Sequence, residues 1–186
     1  MHKTIASLLL TFFAYSSIPL AAEWHEATIP ASFKRLNTLE MVSRDDGWAG
    51  GRDGLVLRWD GHSWQRQDIG VSGDIVAIAF STDNRGWMVT YDVGTQKSFL
   101  HRYEGLGWSA SEIPTDIRAT AMTVAPDGSV WVFGYAGQIV RYRGGEWNET
   151  PSPGYRTLLA ATATSDGSVW TVGEFGTVWK LSLIHI

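Results

Sequence analysis

The chain has 186 residues, no cysteine, ten tryptophans, twenty glycines and a formal net charge of −4. The missing thiols exclude a disulfide framework and any thiolate metal site. The mild acidity argues against nucleic acid as a partner, because nucleic-acid binders carry a basic footprint.

Residues 1–22 read as a secretory signal peptide. Lys3 precedes a mostly apolar run from Ile5 to Tyr15, and Pro19-Leu20-Ala21-Ala22 ends it with small residues. That run is too short to span a bilayer, so no membrane span is expected in the chain. Export to the periplasm or beyond the cell, with cleavage near Ala22, is the expectation. Losing Lys3 leaves 14 Lys and Arg against 19 Asp and Glu, a net charge of 14 − 19 = −5.

From residue 23 onward the sequence repeats. Trp48, Trp87, Trp131 and Trp170 are 39, 44 and 39 residues apart, and Trp24, Trp64, Trp108 and Trp147 are 40, 44 and 39 apart. A third marker keeps the same phase: Arg58-Trp59-Asp60-Gly61, Arg102-Tyr103-Glu104-Gly105 and Arg141-Tyr142-Arg143-Gly144, with Lys180 on schedule. A period of about 40 is the length of one four-stranded propeller blade. The repeats run about 31–70, 71–114, 115–153 and 154–180.

Within the third repeat, strands are expected at Ala119–Ala125, Val130–Phe133, Gln138–Tyr142 and Glu146–Thr150, separated by Pro126-Asp127-Gly128, Gly134–Gly137 and Gly144-Gly145. Asp-Gly turns of this kind are hairpin signals. The fold class is therefore all-β, a propeller of antiparallel blades that is incomplete, with three blades and parts of others. The leading segment Glu23–Pro30, EWHEATIP, matches the end of the second repeat, WSASEIP, and reads as an outermost strand without a blade of its own.

At the other end the phase is lost. The repeat demands an aromatic residue at 181 and a glycine at 183, where Leu181 and Leu183 stand. Leu181–Ile186, Leu-Ser-Leu-Ile-His-Ile, is letter for letter the translation of a common transposon-end sequencing adapter. It is expected to be a scar on a truncated fragment.

The tryptophans that keep phase, Trp48, Trp87, Trp131, Trp170, Trp64, Trp108 and Trp147, are expected to fill the space between twisted sheets. Candidate binding residues occupy two other places. The turn between second and third strands carries Asp53, Asp92, Tyr135 and Glu174, at the end of a blade where loops gather. Thirteen residues before each strand tryptophan stand Arg35, Asp74, Arg118 and Thr157, with Lys34 and Arg156 beside two of them. These positions start the innermost strands, so Arg35, Arg118 and Arg156 are candidates for a basic channel rim able to grip a carboxylate, a phosphate or an acidic surface. The longer turn Tyr91–Ser98 is a candidate recognition loop. His25, His62 and His101 fall at different phases, without metal-ligand spacing. No nucleophile elbow and no phosphate loop occur, and no cofactor is expected.

Units such as DGSVWVFGYAGQIVRYRGGEW at Asp127–Trp147 and DGSVWTVGEFGTVWK at Asp166–Lys180 resemble the bacterial YVTN/BNR-like propellers, which include sialidase-type and photosystem II assembly-factor-type repeats. The resemblance covers nearly all of residues 23–180. It implies a propeller, a fold that hosts binders, scaffolds and enzymes alike, and the expected role is a loop face that binds a protein or a glycan without catalysis. The strict Asp-box is approached by Ser81–Trp87, while Ser43–Trp48 and Ser165–Trp170 are shorter. Two alternatives follow from the same fold: a sialidase-like glycosidase or propeller lyase with residues in absent blades, or the ectodomain of a membrane sensor. Facing carboxylates in the channel mark the enzyme, and a basic or aromatic face without them marks the binder.

Overall fold

The computed structural model describes residues 22–30, 34–82 and 85–181. The signal-peptide and adapter readings fall outside those residues, apart from Ala22 and Leu181. Blade 1 comprises β1 (Leu36–Met41), β2 (Gly47–Gly51), β3 (Val56–Trp59) and β4 (Trp64–Gln67). Blade 2 comprises β5 (Asp74–Thr82), β6 (Arg85–Asp92), β7 (Lys97–Tyr103) and β8 (Trp108–Glu112). Blade 3 holds β9 (Ala119–Val124), β10 (Val130–Gly134), β11 (Ile139–Arg143) and β12 (Glu146–Glu149), and blade 4 holds β13 (Leu158–Ala163), β14 (Val169–Gly173) and β15 (Thr177–Leu181). Strand order within each sheet follows the chain. Every pairing is antiparallel, as short hairpin connections require. The expected strands of the third repeat match those observed to within a residue at each end.

The first strands of successive blades touch in series, β1 to β5 to β9 to β13. They line a common axis from which the sheets radiate, the arrangement of a β-propeller. Each inner strand carries a β-bulge at one repeat position, eleven residues before the strand tryptophan: Asn37, Val76, Thr120 and Leu159. A bulge bends its strand and strengthens its twist. Two of the four also pin the neighbouring blade: Asn37 Nδ2 donates to the Ile75 carbonyl at 2.9 Å, and Thr120 Oγ1 donates to the Leu158 carbonyl.

The recurrent basic residue has a structural reason. Trp48 lies opposite Arg58, Trp87 opposite Arg102, Trp131 opposite Arg141 and Trp170 opposite Lys180. In each pair the cation sits over the indole, 5.0, 5.6, 5.2 and 5.2 Å from the ring centroid. Such contacts are worth about 0.5–2 kcal/mol each, more when desolvated. Between blades 1 and 2, Trp48 packs against Phe80, Tyr103 and Trp108 of the next blade, with centroids 5.4–6.1 Å apart. Between blades 3 and 4, Ala121, Trp131 and Phe133 pack against Leu158 and Val169. The core is thus built mainly of inter-blade layers, each made by one face of one sheet and the opposite face of the next, with a smaller cluster of Ala49, Leu55, Leu57 and Trp64 within blade 1.

Candidate functional site at the channel mouth

Backbone pairing sets the mouth. The carbonyl thirteen residues before each strand tryptophan accepts the N–H of the residue four after it: Arg52 to Arg35 at 2.9 Å, Tyr135 to Arg118 at 3.0 Å and Glu174 to Thr157 at 3.0 Å. In blade 2 the corresponding residues, Asp74 and Tyr91, stand opposite each other in the β5–β6 register. Two side-chain series therefore meet at one end of the channel: Arg35, Asp74, Arg118 and Thr157, beside Arg52, Tyr91, Tyr135 and Glu174.

A cavity of ≈ 500 Å³ opens there, lined by Arg35, Asp74, Tyr91 and Arg118 together with the bulge residues. Arg118 is held between two rings. The guanidinium lies 5.3 Å from the ring centroid of Tyr91 on the preceding blade and 5.8 Å from that of Tyr135 on its own. No carboxylate among the described residues comes within ion-pair distance of it. Two ring contacts restrict the guanidinium without consuming its donors, which remain able to fork onto an oxyanion. Tyr135 is 54 % exposed, so the clamp is open to a macromolecule. Arg35 is aimed differently, its Nε donating to Asn37 Oδ1 at 2.8 Å.

The acidic candidates are held locally. Asp53 accepts Lys34 Nζ on its carbonyl at 3.0 Å, and the same ammonium lies 3.6 Å from its carboxylate. Its backbone N–H donates to Asp74 Oδ1 at 3.1 Å, which ties the turn of blade 1 to the rim of blade 2. The Asp92 carboxylate accepts Thr95 N at 3.1 Å, Gly94 N at 2.8 Å and Ser72 Oγ at 3.2 Å. The Thr95 bond, followed by the others, holds that carboxyl below the usual carboxylate range. Asp74 is the one carboxylate lining this cavity, and Glu174, in the mouth's second series, is not among its lining residues. A glycosidase needs two facing each other.

Arg156 is not gathered into this cavity. It stacks on Phe175 at 4.6 Å and lines a separate hollow of ≈ 560 Å³ with Tyr155 and Trp179. The position in phase with Arg35 and Arg118 is its neighbour, Thr157. The turn candidates likewise occupy two positions rather than one. Tyr135 and Glu174 lie four residues after their tryptophans, and Asp53 and Asp92 lie five after theirs. At the fifth position Asp53, Ala136 and Phe175 have φ of 49°, 52° and 56°, and in the longer blade 2 turn Gln96 has φ 57°. Left-handed backbone outside glycine is sparsely populated and marks constrained turns. Tyr91, named in the sequence only as the start of the candidate recognition loop and here part of β6, is the clamp's second ring. Counting four residues from Trp87, as from Trp131 to Tyr135, is the signal that finds it.

No protein-family model matches the chain. The immune protein Tsi7 of Pseudomonas aeruginosa is 32% identical over 99 residues, covering 50% of this chain and 32% of that protein. Among solved structures, YCF48 bound to D1 peptide superposes on 87% of this chain with a TM-score of 0.62 at 17% identity, and 53% of its own length is covered. A catalytically inactive virginiamycin B lyase from Staphylococcus aureus with quinupristin superposes on 81% at a TM-score of 0.63 and 16% identity, covering 56% of that chain. These likenesses establish the propeller fold. The chain spans about half the length of the solved propellers and about a third of Tsi7.

Proposed function

We propose that this chain is part of an exported, non-catalytic propeller of the YVTN/BNR-like type that binds a protein partner by gripping an acidic segment at its channel mouth. The observation that carries this reading is the Arg118 guanidinium held between Tyr91 and Tyr135, with no carboxylate partner among the described residues. Such a group is pre-organised, so the binding partner bears less of the ordering cost. A second guanidinium, Arg35, borders the same cavity and widens the basic rim. The single carboxylate among the lining residues, already engaged by the Asp53 N–H, supports binding over hydrolysis. A protein ligand is favoured over a glycan because the mouth offers cations and tyrosine rings already stacked by a guanidinium rather than an open indole. The structural likeness to YCF48, solved with a bound peptide, supports the same choice.

The test uses fluorescein-labelled decaglutamate and decalysine as probes. Decaglutamate is expected to bind at low salt and weaken as salt rises, and Arg118→Ala is expected to reduce its affinity about tenfold, or 1.4 kcal/mol. Equal binding of both probes, or an unchanged affinity in the variant, contradicts the proposal.

A further inference from the structure

The layer between blades 2 and 3 has one ring fewer than the layer before it. Between blades 1 and 2, Tyr103 contacts Trp48 and Trp108, with centroids 5.4 and 5.2 Å apart. Phe80 is the fourth ring, stacked on Trp48 at 6.1 Å with an interplanar angle of 19°, and 5.8 and 6.1 Å from Tyr103 and Trp108. Between blades 2 and 3 the first three rings recur as Trp87, Tyr142 and Trp147, in contact at 5.5 and 5.0 Å. The residue in phase with Phe80, seven before the strand tryptophan, is Val124. Val124 packs in this layer, but an isopropyl group leaves unfilled part of the space that a phenyl ring takes up. Trp48 is 2% exposed, whereas Trp87 is only partly buried.

A cavity of ≈ 250 Å³ opens beside Trp87 and Tyr142. An apolar cavity of about 150 Å³ already takes up benzene, so a phenyl ring with one small substituent fits. Gly128, Gly144 and Gly145 line it, and a Cβ added at any of them would meet no atom within 4 Å. Those glycines lie in the β9–β10 and β11–β12 turns. The β10–β11 turn, which carries Tyr135, is at the other end of the strands, so this cleft lies opposite the channel mouth.

Arg85 and Arg102 line the cleft, and no carboxylate does. Arg102 stacks on Trp87 at 5.6 Å and lies 2.7 Å from Glu104, in an exposed ion pair of the kind that holds its partners weakly. Arg85 is exposed and enters no ion pair among the described residues. A ring slot bordered by two guanidinium groups matches one ligand chemistry, an aromatic ring that carries a carboxylate.

We propose that this cleft between blades 2 and 3 is a second binding site, for a small aromatic carboxylate whose ring lies against Trp87 and Tyr142 and whose carboxylate meets Arg85 and Arg102. The ligand supplies the ring that Phe80 supplies in the preceding layer. This site stands independently of the clamp at the channel mouth, with which it shares no residue.

The experiment titrates the full chain calorimetrically with phenylacetate at low salt, beside acetate and phenylacetamide, which keep only the charge or only the ring. Phenylacetate is expected to bind with a dissociation constant of about 1 mM or tighter, and each control at least about tenfold more weakly. Val124→Phe, which places a ring in this layer from blade 3 itself, is expected to abolish binding. Arg85→Ala, an exposed change that leaves the packing intact, is expected to weaken it about fivefold. Arg118→Ala, at the opposite end of the channel, is expected to leave it unchanged, so failure of this site and failure of the acidic-segment reading are told apart. Gly-Gly-Gly-Phe presents the same ring and carboxylate at a peptide end, and weaker binding than phenylacetate marks the ligand as a free acid. Tighter binding of that peptide overturns the small-ligand assignment. No saturable binding of phenylacetate, equal binding of acetate, or an affinity unchanged in Arg85→Ala overturns the proposal.

Discussion

Trp131 and Trp170 occupy the same position in successive blades, yet one is 2% exposed and the other 38%. Each pairs across the sheet with a cation stacked on its ring at 5.2 Å. Each follows a turn in which an aspartate accepts the backbone N–H of a serine, Asp127 from Ser129 and Asp166 from Ser168, both at 2.9 Å. The difference lies outside the blade. Trp131 is covered by the sheet of blade 4, and no described sheet covers Trp170. A repeat thus fixes strand, register and cross-strand partner from within, whereas burial is supplied by the neighbour.

The sharpest way to break that comparison is to truncate both rings. Trp131→Ala is expected to cost about 3–5 kcal/mol in denaturant titration, as for a large aromatic removed from a packed layer. Trp170→Ala is expected to cost less than about 1 kcal/mol, as for a ring no described sheet covers. Equal costs would mean that the layers between blades do not carry the stability.

Blade 2 differs from its neighbours in sequence rather than in surroundings. The residue before the stacked cation is Leu57, Val140 and Trp179 in blades 1, 3 and 4, but His101 in blade 2. His101 is buried, shares a 3.1 Å hydrogen bond with Thr90 Oγ1, and stands opposite Met88 in register. Desolvation by burial pushes its imidazole down to about 4. The unfolded chain, titrating near 6.5, binds the proton first, so stability is full above pH 6.5 and is lost as pH falls toward 4. The loss is expected to reach about 3 kcal/mol. His101→Val, which restores the residue type of blade 3, should flatten stability across that window. An unchanged acid slope in the variant would assign the effect to other groups.

Much of this architecture was legible in the sequence because the tryptophans, the Arg-aromatic pairs and the Asp-Gly turns all keep one period. The strands of the third repeat follow from that punctuation alone. The basic rim was legible in part. Arg35 and Arg118 share the mouth because their carbonyls accept equivalent N–H groups from the second hairpin turn. Arg156 is adjacent in sequence to the rim position, but it precedes β13 by two residues and stacks on Phe175 instead. The Tyr91–Arg118–Tyr135 clamp was hidden because one ring comes from the preceding blade, and a single repeat does not state what its neighbour contributes. The recurrent bulge at Asn37, Val76, Thr120 and Leu159 carries no residue signature either, since four different side chains occupy it.

The clamp is the centre of the functional reading, and one substitution separates its geometry from simple charge. The affinity of Arg118→Lys for labelled decaglutamate is to be measured beside wild type and Arg118→Ala. An ammonium keeps the charge but lacks the planar fork that two tyrosine rings can hold. A clamped guanidinium as the gripping group therefore requires the lysine variant to lose close to the full tenfold seen with alanine. Affinity retained at the wild-type level would show that the mouth attracts acidic chains by charge alone, and the clamp would have no part in recognition.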